Sequence, residues 1–510
     1  MKIFSSKQIR QITQAAINSG AITLDKIIDR MADEAFYQIA SRFNENKRVV
    51  VFSGAETAGA YSIATAIKLL GHGYPVEVAV FDIYHKMTAE CKVQLNRLSE
   101  LIPDGFTLIT GQTTFEPPKL TKNDVVIDGL FGADLTRPLL GGSGFPMLIN
   151  YINESKAFTV SFDVPSGMMS EWNRDSLLKN MIHSNVTVAA HYPRLAYFIP
   201  DCAPAVGAWI PVDLEISDEI TNTTVTDFHY IEASDIRRLL RHRDPFANKS
   251  NFGSALIVAG SYGMIGAAIL SARGALRAGA GKVTVHAPLC GHTPMQSAVP
   301  EALFDADKNE AFISDMSVKG KFNAIGIGPG IGHNNTTISA LENLLLTNST
   351  PMVLDADALN CIAAKPSLLD NIKPMSIITP HTGEFDHIFG THNTHEARLI
   401  KAVEMAKRYR IFIVLKGHYT ATIRPDGKVM FNTSGNAGMA TGGSGDVLTG
   451  IITGLIAQGY KPERAALIGV YVHGLAGDMA AEQVGEYAVT ASDIAANVGR
   501  AISDILNSSK

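Results

Sequence analysis

The sequence predicts an α/β protein of two domains, each a largely parallel sheet with helices on both faces. Three observations carry this. At 510 residues the chain exceeds what one hydrophobic core usually organises. Short apolar runs alternate with amphipathic stretches along its whole length, the rhythm of βαβ units. Its 44 glycines suit a fold with many tight strand-to-helix turns.

Residues 6–43 have helical periodicity, with Ile9, Ile12, Ala16, Ile27, Ile28, Met31 and Ala35 recurring on a helical face. Strands follow in RVVVFSG (48–54), VEVAVF (76–81), FTLIT (106–110), DVVIDGLFG (124–132), FTVSFDVPSG (158–167) and VTVAAHY (186–192), and WIPVDLEIS (209–217) closes the series. The polar, β-branched stretch from 218 has no amphipathic period, so the first domain is set at 1–217, a linker at 218–234 and the second domain at 235–510. A second series begins at SALIVAGS (254–261). It continues through KVTVHAP (282–288), FNAIGIGPG (322–330), PMVLDADALN (351–360), MSIITPHTGE (375–384), IFIVLKGH (411–418) and YTATIRPDGKVMFN (419–432). Helical patterns fill the gaps, as in AAILSARGALRAGAGK (267–282). There is no short-period repeat and no low-complexity segment.

A net charge of −5 supplies no global field for nucleic acid or an anionic membrane. RRLLRHR (237–243) is the local exception. It reads as a basic helix end, since it is short and lacks interleaved aromatics. Cys91, Cys202, Cys290 and Cys361 lie far apart with no CxxC pair, which argues against zinc and for reduced thiols in a cytoplasmic protein. MKIFSSKQIRQITQAAI lacks a signal-peptide core, and no run approaches ~18 apolar residues, so neither export nor a membrane span is expected.

The chemistry concentrates in GGSGD (442–446), a glycine turn opening a strongly apolar helix. Such glycines let backbone N–H groups converge, and the helix N-terminus adds partial positive charge; together they hold phosphate oxygens. Asp446 within that turn is either a helix cap or a base that takes a hydroxyl proton while the cradle stabilises a transferring phosphoryl group. Other candidates fall at strand ends, where open α/β sheets bind ligands. They are GIGPGIG (326–332), Asp355 and Asp357, His381 and Glu384, and Lys416. Each has a plain structural alternative as a turn or a cap.

These segments occur in the order found in the ADP/ATP-dependent NAD(P)H-hydrate dehydratases, and residues 235–505 resemble that family. The likeness also takes in NKSNFGSALIVAGSYGMIGAA (248–268), VPEAL (299–303) and VYVHGLAGDMAA (470–481). It implies a ribokinase-like three-layer sandwich that removes water from the hydrated nicotinamide ring of NADHX or NADPHX. ADP or ATP is the cosubstrate and Mg²⁺ is expected for phosphoryl transfer. Carried over by position, Asp446 would be the base. Gly445 and the segment Lys416, Gly417, His418, Tyr419 and Thr420 would bind the nucleotide. Ala267, Gly330 and His381 would contact the hydrated dinucleotide. A small-molecule kinase of the same fold would use the same loop.

Residues 3–216 resemble the epimerase domain often fused to this dehydratase, a Rossmann-like three-layer sandwich that interconverts R and S hydrates. The likeness rests on KIFSSKQIRQI, VVIDGLFGADLTRPL (125–139), VSFDVPSG (160–167) and YPRLAYF (192–198). It implies potassium ligands at Asp128 and Ser166, and a ligand loop of Gly132, Ala133, Asp134, Leu135, Thr136, Arg137 and Pro138. It also gives Asp163 a catalytic role. The family's phosphate loop runs glycine, any residue, glycine, two asparagines, two glycines, aspartate; here residues 54–61 read GAETAGAY. Glu56 replaces the second glycine, Thr57 and Ala58 the asparagines, and Tyr61 the aspartate. Thr13 stands for an aspartate and Arg194 for a lysine. A carboxylate ~4 Å from a bound anion costs about 4 kcal/mol at an effective dielectric near 20. The epimerase is therefore expected to be weak or absent, with a fully active bifunctional enzyme as the alternative. GAETAG lacks the GxGxxG spacing of a dinucleotide oxidoreductase. The expected partners are NAD(P)H hydrates, an adenine nucleotide and further copies of the chain.

Overall fold

Two separate sheets organise the chain in the computed structural model, which describes residues 1–111, 115–141, 144–318 and 320–508. Residues Lys2–Thr226 with Thr394–Glu396 cluster into one unit; Met1, Asp227–Asn393 and Ala397–Lys510 form the other.

The N-terminal unit contains β1 (Val49–Ser53), β2 (Val76–Phe81), β3 (Phe106–Ile109), β4 (Val125–Gly129), β5 (Phe158–Phe162), β6 (Val186–Ala190) and β7 (Ala208–Val212). They lie in the order β3-β2-β1-β4-β5-β6-β7, every pair parallel. The central strands β1 and β4 are buried along their whole length, which is why they read as unbroken apolar runs. The expected closing strand at 209–217 ends at Val212.

The C-terminal unit contains β8 (Phe228–Ile231), β9 (Ser254–Val258), β10 (Lys282–Ala287), β11 (Leu303–Ala306), β12 (Ala324–Ile327), β13 (Met352–Leu354), β14 (Ile377–Ile378), β15 (Phe412–Leu415), β16 (Ala421–Ile423) and β17 (Val429–Asn432). Their order is β8-β17-β16-β15-β14-β13-β12-β9-β10-β11. Pairing is parallel from β15 to β11, while β15-β16-β17 run antiparallel through a hairpin turning at Asp426–Gly427. The stretch expected as a linker contains a short helix, Asp218–Asn222, and then β8, which pairs parallel with β17. Edge strand β11 has no fully buried apolar run, and so its sequence gave no strand signal.

The helix Ser444–Ala457 is apolar on all sides because it is buried on all sides. Its glycines set how closely it packs: a Cβ at Gly450 would lie 2.0 Å from the Ser271 carbonyl oxygen, on the helix Ile265–Arg277. No helix among the described residues is long and apolar enough to cross a membrane.

Candidate functional site

GGSGD forms the entrance to the buried helix. Gly443, at φ +88°, turns the chain into it, a conformation a side chain would strain. Asp446 then falls in the first helical turn. Burial, and next the charge of Asp355, push the Asp446 carboxyl from its ordinary 3.8 up to about 7; Lys416 acts in the opposite direction.

The strand ends supply the surroundings. At the end of β12, Gly328 (φ +126°) lies so close to the next strand that a Cβ would sit 1.8 Å from the Asp355 carbonyl oxygen. Asp355 follows β13, its N–H bonded to the Ile327 carbonyl at 3.0 Å, and Ala356 beyond it has the strained φ of +48°. Lys416 follows β15 and donates to Asp355 Oδ1 at 2.9 Å, with Glu384 Oε2 at 3.7 Å. Thr449 Oγ1 donates to Asp355 Oδ2 at 2.6 Å. Burial opposes the lysine charge, but Asp355 and then Glu384 outweigh it and hold the pKa above 10.5. Asp355 is therefore not a helix cap, as one reading of the sequence had it. It joins Lys416 to the helix that carries Asp446. Asp357 does act locally, accepting from Gly332 N and Asn360 Nδ2.

A pocket of about 750 Å³ is lined by His381, Lys416, Gly417, His418, Thr420 and Gly445, so most of the predicted nucleotide residues meet His381 in one cavity. Tyr419 packs edge-on against His418. His381 caps its helix: Nδ1 accepts from Gly383 N at 3.0 Å and Glu384 N at 3.3 Å, and Glu384 Oε2 accepts from His381 N at 2.8 Å. The Nε2 edge of the half-exposed imidazole lies 3.6 Å from Glu384 Oε1. Gly330 and Ala267 are neighbours; a Cβ on the glycine would meet the alanine Cβ at 3.1 Å.

The far wall of the pocket escaped sequence reasoning. Its loop, Ser434 to Thr441, is held by Asp478, which accepts from Gly435 N and Asn436 Nδ2 at 2.9 Å each. His473, buried and pushed down to about 4 by that burial, donates from Nε2 to the Ser444 carbonyl at 2.9 Å and so braces the glycine turn. Both side chains sit in VYVHGLAGDMAA, whose polar residues on an apolar helix were the available signal.

In the N-terminal unit, Asp163 (φ +57°) accepts from Ala190 N at 2.8 Å and pairs with Arg194 at 3.1 Å. Arg194 is buried, and its Nε has no hydrogen-bond partner among the described residues. Gly132 to Asp134 form a single 3₁₀ turn. Burial, then Glu56 and Asp163, push the Asp134 carboxyl up to about 6. Asp128 is buried, and each of its oxygens already accepts two donors. Oδ1 takes Leu130 N and Ser166 Oγ; Oδ2 takes Ser161 Oγ and Ser166 N. Ser166 Oγ also accepts from Phe131 N at 3.0 Å. This donor set does not fit an added potassium ion, because the Asp128 oxygens are committed and the loop's asparagines are gone. Tyr61 is 4% exposed and packs on Phe162, ring centres 5.6 Å apart, within the core of this unit.

A family model described as NAD(P)H-hydrate dehydratase matches residues 255–500, and one described as YjeF-related protein N-terminus matches residues 24–196. A bifunctional NAD(P)H-hydrate repair enzyme of Moorella thermoacetica is 32% identical over 461 residues, 88% of this chain and 86% of that one. Its counterpart in Coxiella burnetii is 30% identical over 502 residues, 96% of this chain and 97% of that one. Among solved structures, the ADP/ATP-dependent NAD(P)H-hydrate dehydratase of Bacillus subtilis, co-crystallised with ATP/Mg²⁺, is 31% identical with a TM-score of 0.49, covering 54% of this chain and 98% of that one.

Proposed function

The chain belongs to the bifunctional NAD(P)H-hydrate repair enzymes, and from that premise we propose that its C-terminal unit performs a nucleotide-dependent dehydration of (S)-NADHX or (S)-NADPHX while its N-terminal unit has little or no epimerase activity. The observation that carries the dehydratase is Asp446, a carboxyl held near pH 7 at the mouth of a glycine-opened helix beside Lys416. A base so tuned accepts the ring hydroxyl's proton as that oxygen attacks the terminal phosphoryl group of ADP or ATP. The amides of Gly443 to Gly445 and Lys416 face the transferred charge. The phosphate then leaves with the former hydroxyl oxygen, the adjacent ring carbon gives up a proton to the departing phosphate or to water, and the double bond so formed restores the reduced nicotinamide. Mg²⁺ carried in on the nucleotide phosphates would, when bound, neutralise charge on the transferring group, while the Asp355 oxygens stay with Lys416 and Thr449.

The test is direct. Protein, (S)-NADHX, Mg²⁺ and ADP or ATP should yield NADH absorbance. No NADH with either nucleotide, together with phosphorylation of some other alcohol, would establish a small-molecule kinase instead.

The loss of epimerase activity is supported by Tyr61 in place of the family's aspartate, by the clustering of Glu56, Asp134 and Asp163, and by the committed oxygens of Asp128. Given pure R hydrate, the full chain should form S hydrate no faster than buffer does. Turnover matching an intact epimerase would overturn this reading. We also place the protein in the cytoplasm, on its four free thiols, and expect a homo-oligomer, which sedimentation would test.

A further inference from the structure

The motif RRLLRHR is not used by the proposed chemistry. In the structure only its start belongs to a helix, Ala233–Leu239. Arg241, His242 and Arg243 run beyond the helix end and line a second cavity of about 790 Å³, larger than the nucleotide pocket and formed wholly by the C-terminal unit. Its floor is apolar, with Leu240, Leu276, Leu455, Ile502 and Leu506. Leu455 lies in the last turn of the helix whose first turn carries Asp446. Nine residues at ~1.5 Å each put Leu455 about 14 Å along the helix axis from the proposed base, towards the opposite end of the helix.

The charges of this cavity are unbalanced. Arg241, Arg243 and Arg277 all line it, and none has a carboxylate partner among the described residues. Other arginines, among them Arg273, Arg464 and Arg500, also have none among the described residues, so what marks this cavity is that three such groups line one space. The only acid in the lining, Asp244, accepts instead from Phe246 N at 2.9 Å. Two of the guanidinium groups are held in place. Arg243 stacks 4.0 Å from the Phe252 ring centre and donates to the Gly279 carbonyl at 2.6 Å. Arg241 stacks 4.7 Å from the Tyr460 ring centre. Those contacts occupy few of the five donors on each group, and a stacked guanidinium loses little freedom when it binds an anion. Capping of helix C-termini explains the bonded carbonyl, but not the presence of three unpaired arginines around one apolar cavity. Phe246 stands at its edge, 94% exposed.

We propose that this cavity is a second ligand site, separate from the nucleotide pocket, for a phosphate ester with an aromatic or apolar body. Arginine forks fit phosphate, the leucine floor and Phe246 fit the body, and the volume suits a small molecule.

The probe is 1-naphthyl phosphate, titrated into the full chain with saturating ADP and Mg²⁺ to occupy the other pocket. Saturable one-to-one binding is expected. Arg277→Gln, at an exposed side chain with no hydrogen bond or ion pair among the described residues, should weaken it about tenfold, the worth of one charge-assisted contact. Leu506→Glu, which sets a carboxylate in the floor, should abolish it, and 1-naphthol should bind far more weakly than its phosphate. The proposal fails if binding does not saturate at millimolar probe, if Arg277→Gln and Arg241→Gln bind as wild type, or if 1-naphthol binds equally well.

Discussion

Asp446→Asn should damage activity and improve stability, and the two effects separate by pH. In the folded chain the carboxyl sits at about 7 against an ordinary 3.8. At 1.36 kcal/mol per pH unit that difference is about 4 kcal/mol, and solvent reaching the partly open site trims it to about 2. The sign follows from the elevated folded value. Below about pH 4 the carboxyl is protonated in both states and contributes nothing to the difference from asparagine. Between 4 and 7 the unfolded chain ionises first, so wild-type stability drains away as pH rises. Above 7 the full penalty is present. Asparagine never ionises and never incurs it. Thermal unfolding of the two proteins should therefore coincide near pH 4 and separate at pH 8, with the variant melting several degrees higher. At that same pH its production of NADH should fall by about 10² to 10⁴, the usual worth of a general base, while nucleotide binding persists. A variant no more stable at pH 8 than at pH 4, or one that keeps its turnover, would refute the account of Asp446 as a buried, strained base.

Wild-type turnover should rise through a midpoint near pH 7 as the base ionises, and Asp355→Asn should move that midpoint lower, since it removes a like charge and frees Lys416; an unmoved limb in the pH–rate profile would count against the coupling. Gly328→Ala places a Cβ 1.8 Å from the Asp355 carbonyl at φ +126°, so it should cost about 3 kcal/mol or more in denaturant unfolding and remove most NADH formation. Tyr61→Asp, alone or with Glu56→Gly, should destabilise the N-terminal unit by about 3 kcal/mol through a lost aromatic and a buried charge, and should restore no epimerisation of R hydrate.

The parallel strands were the most legible part of the sequence, because strands buried on both faces must be written in apolar residues. VVVFS and VVIDG are buried at every position and stood out at once. Edge strand β11 and strand β8 did not, being half-covered and mixed in composition. Site residues were legible in the same measure as their motifs. Glycine loops and strand-end acids mark a ligand end of a sheet whatever the ligand is. What sequence could not show is pairing across distance. Nothing in VLDADALN says that Asp355 rather than Asp357 takes the lysine 61 residues away. Nor does the spacing of His473 reveal that it holds the Ser444 carbonyl. Glu56 was expected to repel an anion directly. It is exposed, and its charge helps to lift the Asp134 carboxyl, while Tyr61 is buried against Phe162.

The altered loop of the N-terminal unit separates what a fold requires from what a ligand requires. Two glycines of the family's pattern survive, Gly54 and Gly59, and both are positions where the backbone leaves no room for a side chain. A Cβ on Gly54 would lie 1.9 Å from the Leu130 carbonyl oxygen, and one on Gly59 would lie 2.0 Å from the Gly54 carbonyl oxygen. These contacts join strand, turn and helix, and Ser53 and Ser62 reinforce them by donating to the Gly59 carbonyl. The changed positions are different in kind. Glu56 faces solvent, and Tyr61 has room to lie on Phe162. Ala60, where the family's pattern has a further glycine, is buried and has changed as well. Gly54 and Gly59 are thus accounted for by the packing of strand, turn and helix, and the proposed loss of the anion site would leave both in place.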